Sequence, residues 1–331
     1  MPTSAGRSSA LPVALALGTV YIVWGSTYLA IAYVVETLPP LLAAAARFLL
    51  AGGLIVGFLV AQDRWRQARG QRGTLNRPRL VEWRTALIVG SLLLLGGNGL
   101  VSLAEQRIPS GIAAVMIATV PIWMSLFEAV LNRRAPTMLA VGGIAVGLAG
   151  AVILLLPTDG LDSLDPTGVG MVAVSAMAWA AGSIYARRGP LPQNQLLGTG
   201  MQQLAGALAL VVVGLSIGEP GRFDVAAVSA ASLLGLAYLI VFGSLAAFTA
   251  YVWLLHHAPV TTVATYAYVN PVVAVSLGIV FRNEPLTPRT LLAAALIIGA
   301  VVAMVSGRPR VVDEPAAGSE AAALEPADDA T

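Results

Sequence analysis

The chain has no cysteine and no lysine, only two histidines, and charged residues at just 11% of its 331 positions. Without cysteine there is no disulfide framework, thiolate nucleophile, iron-sulfur centre or cysteine-based zinc site. Without lysine there is neither the phosphate-gripping residue of a P-loop nor a Schiff-base amine, since all 19 basic residues are arginine. The two histidines, His256 and His257, are adjacent and do not form a zinc-binding H-E-x-x-H pair. The scarcity of charge is itself decisive. A soluble domain carries about a quarter charged residues, so a chain that is 57% apolar, with 34 glycines and a mean hydropathy of +0.80, hides most of its length from water in lipid.

A hydrocarbon core about 30 Å thick needs about 20 apolar residues per helix. Ten runs of that kind are read, over residues 11–35, 40–61, 85–105, 109–131, 138–156, 167–186, 196–217, 229–255, 259–281 and 289–306. Leu11, Pro12 and Val13 alone precede the small Ala14-Leu15-Ala16 triplet, too short an apolar stretch for a signal peptide, so the first run reads as an uncleaved span. With the N-terminus inside, fourteen arginines fall in inner segments, seven of them between residues 62 and 84, and four fall in outer loops (Arg107, Arg222, Arg282, Arg289). The excess of arginine on one side predicts that both termini are cytoplasmic in a bacterial-type inner membrane. Trp65 and Trp83 flank the basic run where helices meet the interface, which makes it a solvated loop and not a nucleic-acid patch. Residues 1–10 read as a cytoplasmic N-terminus. From residue 307 the chain is Pro, Ala, Glu and Asp with little to bury, so a disordered cytoplasmic tail over 307–331 is expected.

The two halves share punctuation. Pro109 and Pro259, Pro121 and Pro271, and Thr137 and Thr287 are each 150 apart, and Gly25-Ser26-Thr27-Tyr28 finds its counterpart in Gly182-Ser183-Ile184-Tyr185 at 157. The slip of seven matches the long arginine loop, whose counterpart at 218–228 is shorter. Five spans per repeat is odd, so the second repeat enters the membrane from the opposite side. The fold expected is an all-α polytopic membrane protein, ten transmembrane helices as two inverted five-helix repeats, 11–156 and 167–306. Such repeats let two halves rock about a midplane site, which is a route to alternating access and hence to transport.

These residues also carry a resemblance. Trp24-Gly25-Ser26, Arg47-Phe48, the alanine-rich stretch running to Pro121, and Asn270-Pro271 followed by Glu284 resemble the EamA-type exporters of the drug/metabolite transporter superfamily, over about residues 11–306. The resemblance implies ten helices, a central cavity between halves, and efflux of small metabolites, amino acids or amphipathic drugs. The Gly-Glu pair of the family pattern after spans four and nine is Arg133-Arg134 and Asn283-Glu284 here.

Several residues are candidates for the cavity, each with a plainer reading beside it. Pro121 and Pro271 lie near mid-membrane, where each lacks an N–H and frees a carbonyl one turn earlier; a kink is expected, either as a gating point or as a packing feature. Trp24, Trp123 and Trp179 lie near span centres although Trp prefers the interface; they offer either aromatic faces to a solute or helix packing. Asn98, Ser26, Thr27, Tyr266, Tyr268 and Asn270 can supply the few hydrogen bonds of a concave site or serve as interhelical contacts. Arg47, the only basic residue well inside a span, lies about 10 Å from its helix start at 1.5 Å per residue; it anchors a substrate carboxylate or pairs with Glu36. Glu105 and Glu128 fall within about 5 Å of an interface, so no carboxylate is deep, and facilitated export or weakly coupled exchange fits better than buried-acid antiport.

Two motifs are set aside. Gly214-Leu215-Ser216-Ile217-Gly218 matches a nucleophile elbow but ends a membrane helix, with no histidine expected near it. Asp159, Asp162 and Asp165 have the wrong spacing for a calcium loop. Gly53-x-x-x-Gly57 and Gly143-x-x-x-Gly147 permit close helix approach inside the bundle or between protomers, in a monomer or homodimer. The partners expected are a small-molecule substrate and the lipid bilayer, with no nucleic acid, metal or cofactor. The rival classes are a polytopic enzyme acting on a lipid-linked substrate, whose charged interfacial cluster is not evident here, and a receptor, which gains nothing from the repeat.

The arginine asymmetry is testable in a chain free of native thiols. Gln71→Cys is expected to react with a membrane-impermeant maleimide only in permeabilised cells, whereas Asp162→Cys is expected to react in intact spheroplasts; the reverse pattern would invert the topology.

Overall fold

Every element in the computed structural model of residues 10–108, 113, 116–133, 138–155, 165–282 and 288–306 is helical, and no strand occurs among these described residues. The tail 307–331, the segment before residue 10, and Arg134, Glu284, Asp159 and Asp162 lie outside them. The helices are α1 (Ala10–Thr37), α2 (Pro40–Ala68), α3 (Leu80–Ala104), α4 (Val120–Asn132), α5 (Met138–Leu155), α6 (Pro166–Arg188), α7 (Gln195–Ser216), α8 (Ala230–His257), α9 (Val260–Ala264), α10 (Tyr266–Arg282) and α11 (Pro288–Ser306). Six of them, α1, α2, α3, α6, α7 and α8, are long and apolar enough to cross a membrane. Helix is the form such a chain must take in lipid, because it satisfies each backbone N–H and C=O within its own segment.

Helix ends follow local chemistry. Asp165, Asn194 and Ser229 cap α6, α7 and α8 by accepting from Thr167 N (2.7 Å), Leu197 N (3.1 Å) and Ser232 N (3.0 Å). The Arg107 guanidinium, 3.0 Å away, and the Thr167 N–H hold the Asp165 carboxyl below the usual carboxylate range. At the end of α4, Arg133 takes a left-handed backbone (φ 52°), the conformation for which glycine is favoured, so the glycine position of the family pattern keeps its geometry without its residue. α2 runs to Ala68, seven residues past its apolar stretch, because the Asp63 carboxylate gathers Thr74 N (2.5 Å) and Leu75 N (3.1 Å) and folds the loop back against the helix.

Packing joins the first half of the chain to the second. α1 lies against α8 and α10; α6 lies against α3 and α4; α2 pairs with α7, and α5 with α11. Glycines permit the tightest of these crossings. A Cβ on Gly90 of α3 would stand 2.4 Å from the Gln202 carbonyl of α7, and one on Gly206 would stand 2.7 Å from the Gly90 carbonyl, so the two backbones touch. Gly147 meets the Tyr268 ring, but Gly53 and Gly57 have nothing within 4 Å of a Cβ position, so that stripe does no packing work inside the bundle.

In two places the helix widens. Residues Ser91–Gly99 of α3 and Leu239–Ala247 of α8 are π-helical. Wide turns of this kind distort the regular ladder and are frequent at functional sites. A glycine carbonyl in each is taken by a side chain of another helix: Gly97 O accepts from Ser175 Oγ of α6 (2.8 Å), and Gly243 O accepts from Trp24 Nε1 of α1 (3.4 Å).

One carboxylate ties α2 to α7. Glu219, 4% exposed, accepts from Leu41 N and Leu42 N at the start of α2, both at 2.9 Å, serving two unpaired donors of that helix end from across the bundle. Glu219→Ala is expected to cost about 1–2 kcal/mol, by the usual worth of a helix cap, read as a lower midpoint of thermal unfolding in detergent, with Glu219→Gln losing less.

Candidate functional site

A cavity of about 70 Å³ lies where the two widened helices face α1, α2, α6 and α10. It has room for a few water molecules or the head of a small solute. Its lining comes from Trp24, Thr27, Tyr28 and Ile31 of α1, Arg47 and Phe48 of α2, the 94–101 stretch of α3, Ser175 and Trp179 of α6, Phe248 of α8, and Tyr266 and Asn270 of α10. Counting along the helices from their ends, these positions run from mid-bundle toward the face opposite the arginine-rich loop, called here the far face.

Arg47 is the most unusual lining group. It is 3% exposed, its Nε donates to Ser244 Oγ (2.6 Å) in the widened part of α8, and its guanidinium lies 4.6 Å from the Phe48 ring centroid. Its fit is close: a Cβ on Gly243 would stand 2.7 Å from Nη2. Gln203 Nε2 donates to the Ser244 carbonyl (3.2 Å), fixing the same turn from α7. Among the described residues Arg47 has no acidic partner within 4 Å, and Glu36 is exposed, so the pairing of those two expected from the sequence does not form. The reason is direction: the Arg47 side chain turns into the bundle toward α8 instead of back toward the α1–α2 turn.

Arg47 and Asn98 also line a second, smaller hollow with Ser102, Val35, Pro40 and Leu236, on the far-face side of the cavity. They therefore stand at the constriction between the two. Asn98 Oδ1 and Asn270 Oδ1 are buried without a hydrogen-bond partner, two unused acceptors on the cavity wall.

The wall nearest the arginine-rich face is aromatic. Trp24 meets Trp179 (5.3 Å between centroids, edge to face), Tyr251 (4.9 Å) and Tyr266 (5.1 Å), and Tyr251 meets Trp179 (5.5 Å) and Tyr266 (5.6 Å). A hydrogen-bond relay locks it: Trp179 Nε1 donates to Tyr251 Oη (3.0 Å), which pairs with Ser183 Oγ (2.5 Å), and Ser183 donates to the Trp179 carbonyl (2.7 Å). Thus Ser183, read only as a repeat marker, positions the cavity-lining Trp179 and the Tyr251 ring behind it.

Trp24, Thr27, Arg47, Asn98, Trp179, Tyr266 and Asn270 come together on this lining. Ser26 turns away to Tyr238 Oη (2.5 Å) at the α1–α8 contact, Trp123 packs on Phe127 (6.3 Å), and Tyr268 is buried against Gly147 with Oη near the Ile144 carbonyl (3.4 Å). Neither proline lines the cavity; the residue before each, Val120 and Asn270, does. Pro121 sits in the first turn of α4, after a break at 118–119, where its missing N–H costs nothing, so this proline starts a helix instead of kinking one. Pro271 does lie inside α10, and the chain is interrupted earlier, at Thr265, which Tyr21 Oη of α1 holds at 2.5 Å. Tyr28, Tyr251, Ser175, Phe48 and Phe248 are missed by the sequence reading. A tyrosine inside an apolar span instead of in a loop is the signal that marks Tyr251.

Glu105 also departs from expectation. It follows the last residue of α3, yet both carboxyl oxygens are buried without a partner, because α1 and α6 pack over that helix end.

Comparisons with known proteins agree with this architecture. The EamA-like transporter family matches the chain over residues 11–156 and again over 166–306. The chain is 39% identical over 299 residues to the inner membrane transporter YedA of Escherichia coli strain K12, covering 90% of this chain and 92% of the relative. It is 26% identical to the transporter YvbV of Bacillus subtilis, over 92% and 95% of the two chains, and 26% identical to the protein PecM of Dickeya dadantii, over 85% and 88%. A crystal structure at 21% identity superposes with a TM-score of 0.68 over 90% of this chain and 98% of its own, a likeness of fold.

Tyr251→Phe removes the hydroxyl that links Trp179 to Ser183 and leaves the indole N–H without its acceptor. The expected loss is about 1–3 kcal/mol, the cost of an unmet buried donor, together with a shift in tryptophan emission; an unchanged spectrum would show that the relay does not hold the ring.

Proposed function

The chain belongs to the EamA-like transporter family, and we propose that it exports small metabolites, amino acids foremost and amphipathic drugs beside them, from the cytoplasm across a bacterial-type inner membrane. The observation that carries this reading is Arg47, a buried guanidinium on the cavity wall with no acidic partner within 4 Å among the described residues. A buried charge is costly unless it is paired, and a guanidinium presents donors that match a carboxylate. A solute carboxylate supplies the missing partner.

The rest of the wall suits the other end of such a solute. Asn98 Oδ1 and Asn270 Oδ1 are free to accept from an ammonium group, and Trp24, Trp179 and Tyr266 offer aromatic faces that attract a cation or cover an apolar side chain. In the described conformation the cavity admits only a small head group, so a larger solute requires the hollow beside it to widen.

Alternating access between two inverted five-helix repeats is the mechanism proposed. Three features support it: the 150-residue register of Pro121 and Pro271, the two separate family matches, and the exchange of packing partners between the halves. The arginine asymmetry supports cytoplasmic termini, and in this reading the far face opens outward. The aromatic wall closes the cavity toward the cytoplasmic side, and Arg47 with Asn98 forms its outer constriction. In this reading 11–156 and 167–306 are the repeats and the tail 307–331 is cytoplasmic.

The test is counterflow into proteoliposomes with a panel of amino acids and amphipathic cations. An amino acid is expected to exchange, with Arg47→Ala reducing the rate at least tenfold and Arg47→Lys restoring part of it. Exchange of cations alone, unaffected by Arg47→Ala, would overturn the carboxylate anchor.

A further inference from the structure

The proposed solute site leaves one buried ionisable group unused. Glu105 stands at the far-face end of α3 with both carboxyl oxygens shut away from solvent and no hydrogen-bond or ion-pair partner among the described residues. Along α3, Asn98, Ser102 and Glu105 follow the i, i+4, i+7 spacing of one helical face, and the first two line the hollow between the cavity and the far face. Tyr28 of α1, a cavity-lining residue, stands within electrostatic reach of Glu105.

The other charged groups near this end of α3 are engaged elsewhere. α2 brings Arg47, whose Nε is bonded to Ser244; α6 brings Asp165 at its start, paired with Arg107 at 3.0 Å; α1 brings the neutral Tyr28 phenol. The widened stretch Ser91–Gly99 of α3 itself brings no titratable side chain. An ionised carboxylate closed in by these neighbours would be unpaired and unsolvated, a state far costlier than the neutral acid.

We propose that Glu105 is a proton-operated latch on the far mouth: protonated, it lets α1 and α6 close over the end of α3, and ionised, it holds that mouth open to water. The step is a single proton exchange between the carboxyl and the aqueous phase at the far face, with no other bond made or broken. Linkage then gives the sign. The closed form binds the proton and the open form releases it, so acid on the far side favours closure and a rise in pH favours opening. This holds whatever solute is carried, and it assigns Glu105 a positioning role in the opening of the pathway, not a contact with the solute.

The full-length protein, free of native cysteine, permits a direct measurement. Spin labels on Glu36→Cys and Gln106→Cys, two exposed positions at the far ends of α1 and α3, report the width of the mouth in nanodiscs between about pH 5 and about pH 9, a range that spans neutral-to-raised carboxyl titration. The parent pair is expected to pass from a short to a long distance as pH rises. Glu105→Gln, a neutral isostere, is expected to stay short throughout, and Glu105→Asp to respond with a displaced midpoint. The infrared band of a protonated carboxylic acid, present in the closed parent, is expected to be lost in Glu105→Gln. A Glu105→Gln profile like the parent's, a parent distance that ignores pH, or an infrared spectrum identical in the two proteins would each overturn the latch. Counterflow on the same samples is expected to rise with pH in the parent and to stay at the parent's low-pH rate in Glu105→Gln, with the half-saturating solute concentration unchanged; a Glu105→Gln rate that follows the parent's, or a raised half-saturating concentration that makes Glu105 part of the solute site, would likewise overturn the proposal.

Discussion

In hydrocarbon no water repairs an unmet backbone group, and this constraint governs the rest of the structure. It makes the described chain helical throughout and leaves few places where polarity can be spent. Two of those places are the widened turns of α3 and α8, where the regular ladder loosens and the carbonyls of Gly97 and Gly243 are taken by Ser175 and Trp24. Each bond crosses between helices from different halves of the chain. The cavity forms beside these two turns, where the Arg47 guanidinium finds a partner in Ser244 and the Asn98 and Asn270 side chains reach the wall.

The sequence made the spans legible because the demand for length and apolarity is severe. Four of the six long helices fall within about two residues of the runs read from composition; α3 starts five residues early, at Leu80, and α2 runs on past its apolar stretch, carried by the Asp63 loop, a contact eleven residues away that no hydropathy window detects. The cavity was legible where a residue was out of place for its depth: Trp24, Trp179, Arg47 and Asn98 are all anomalous in mid-span. It was illegible where direction around the helix decides the matter. Ser26 and Thr27 are neighbours on α1, yet Thr27 lines the cavity while Ser26 bonds to Tyr238. The pairing of Arg47 with Glu36 failed for the same reason, since closeness along the chain does not say which way a side chain turns.

Glu105 illustrates a further limit. Counting 1.5 Å per residue places it at a helix end, and ends are normally wet. Burial is decided by what packs across that end, and α1 and α6 supply the cover. Depth along one helix and depth within a bundle are different quantities, and only the first can be counted from sequence. Pro121 teaches the complementary point. A proline in mid-run reads as a kink, but a break just before it places the ring in a first turn, where its geometry suits the helix.

The contact between Gly90 and Gly206 has a mechanical consequence. Because the α3 and α7 backbones meet there without side chains between them, neither helix can slide along the other without main-chain atoms colliding. A pivoting motion about the crossing point keeps the same separation and meets no such barrier. The pair thus behaves as a bearing: it resists translation and allows tilt. The two helices it joins are the one that carries Asn98 to the cavity wall and the one whose Gln203 steadies the turn that holds Arg47, so a small angular change at the crossing moves both walls at once.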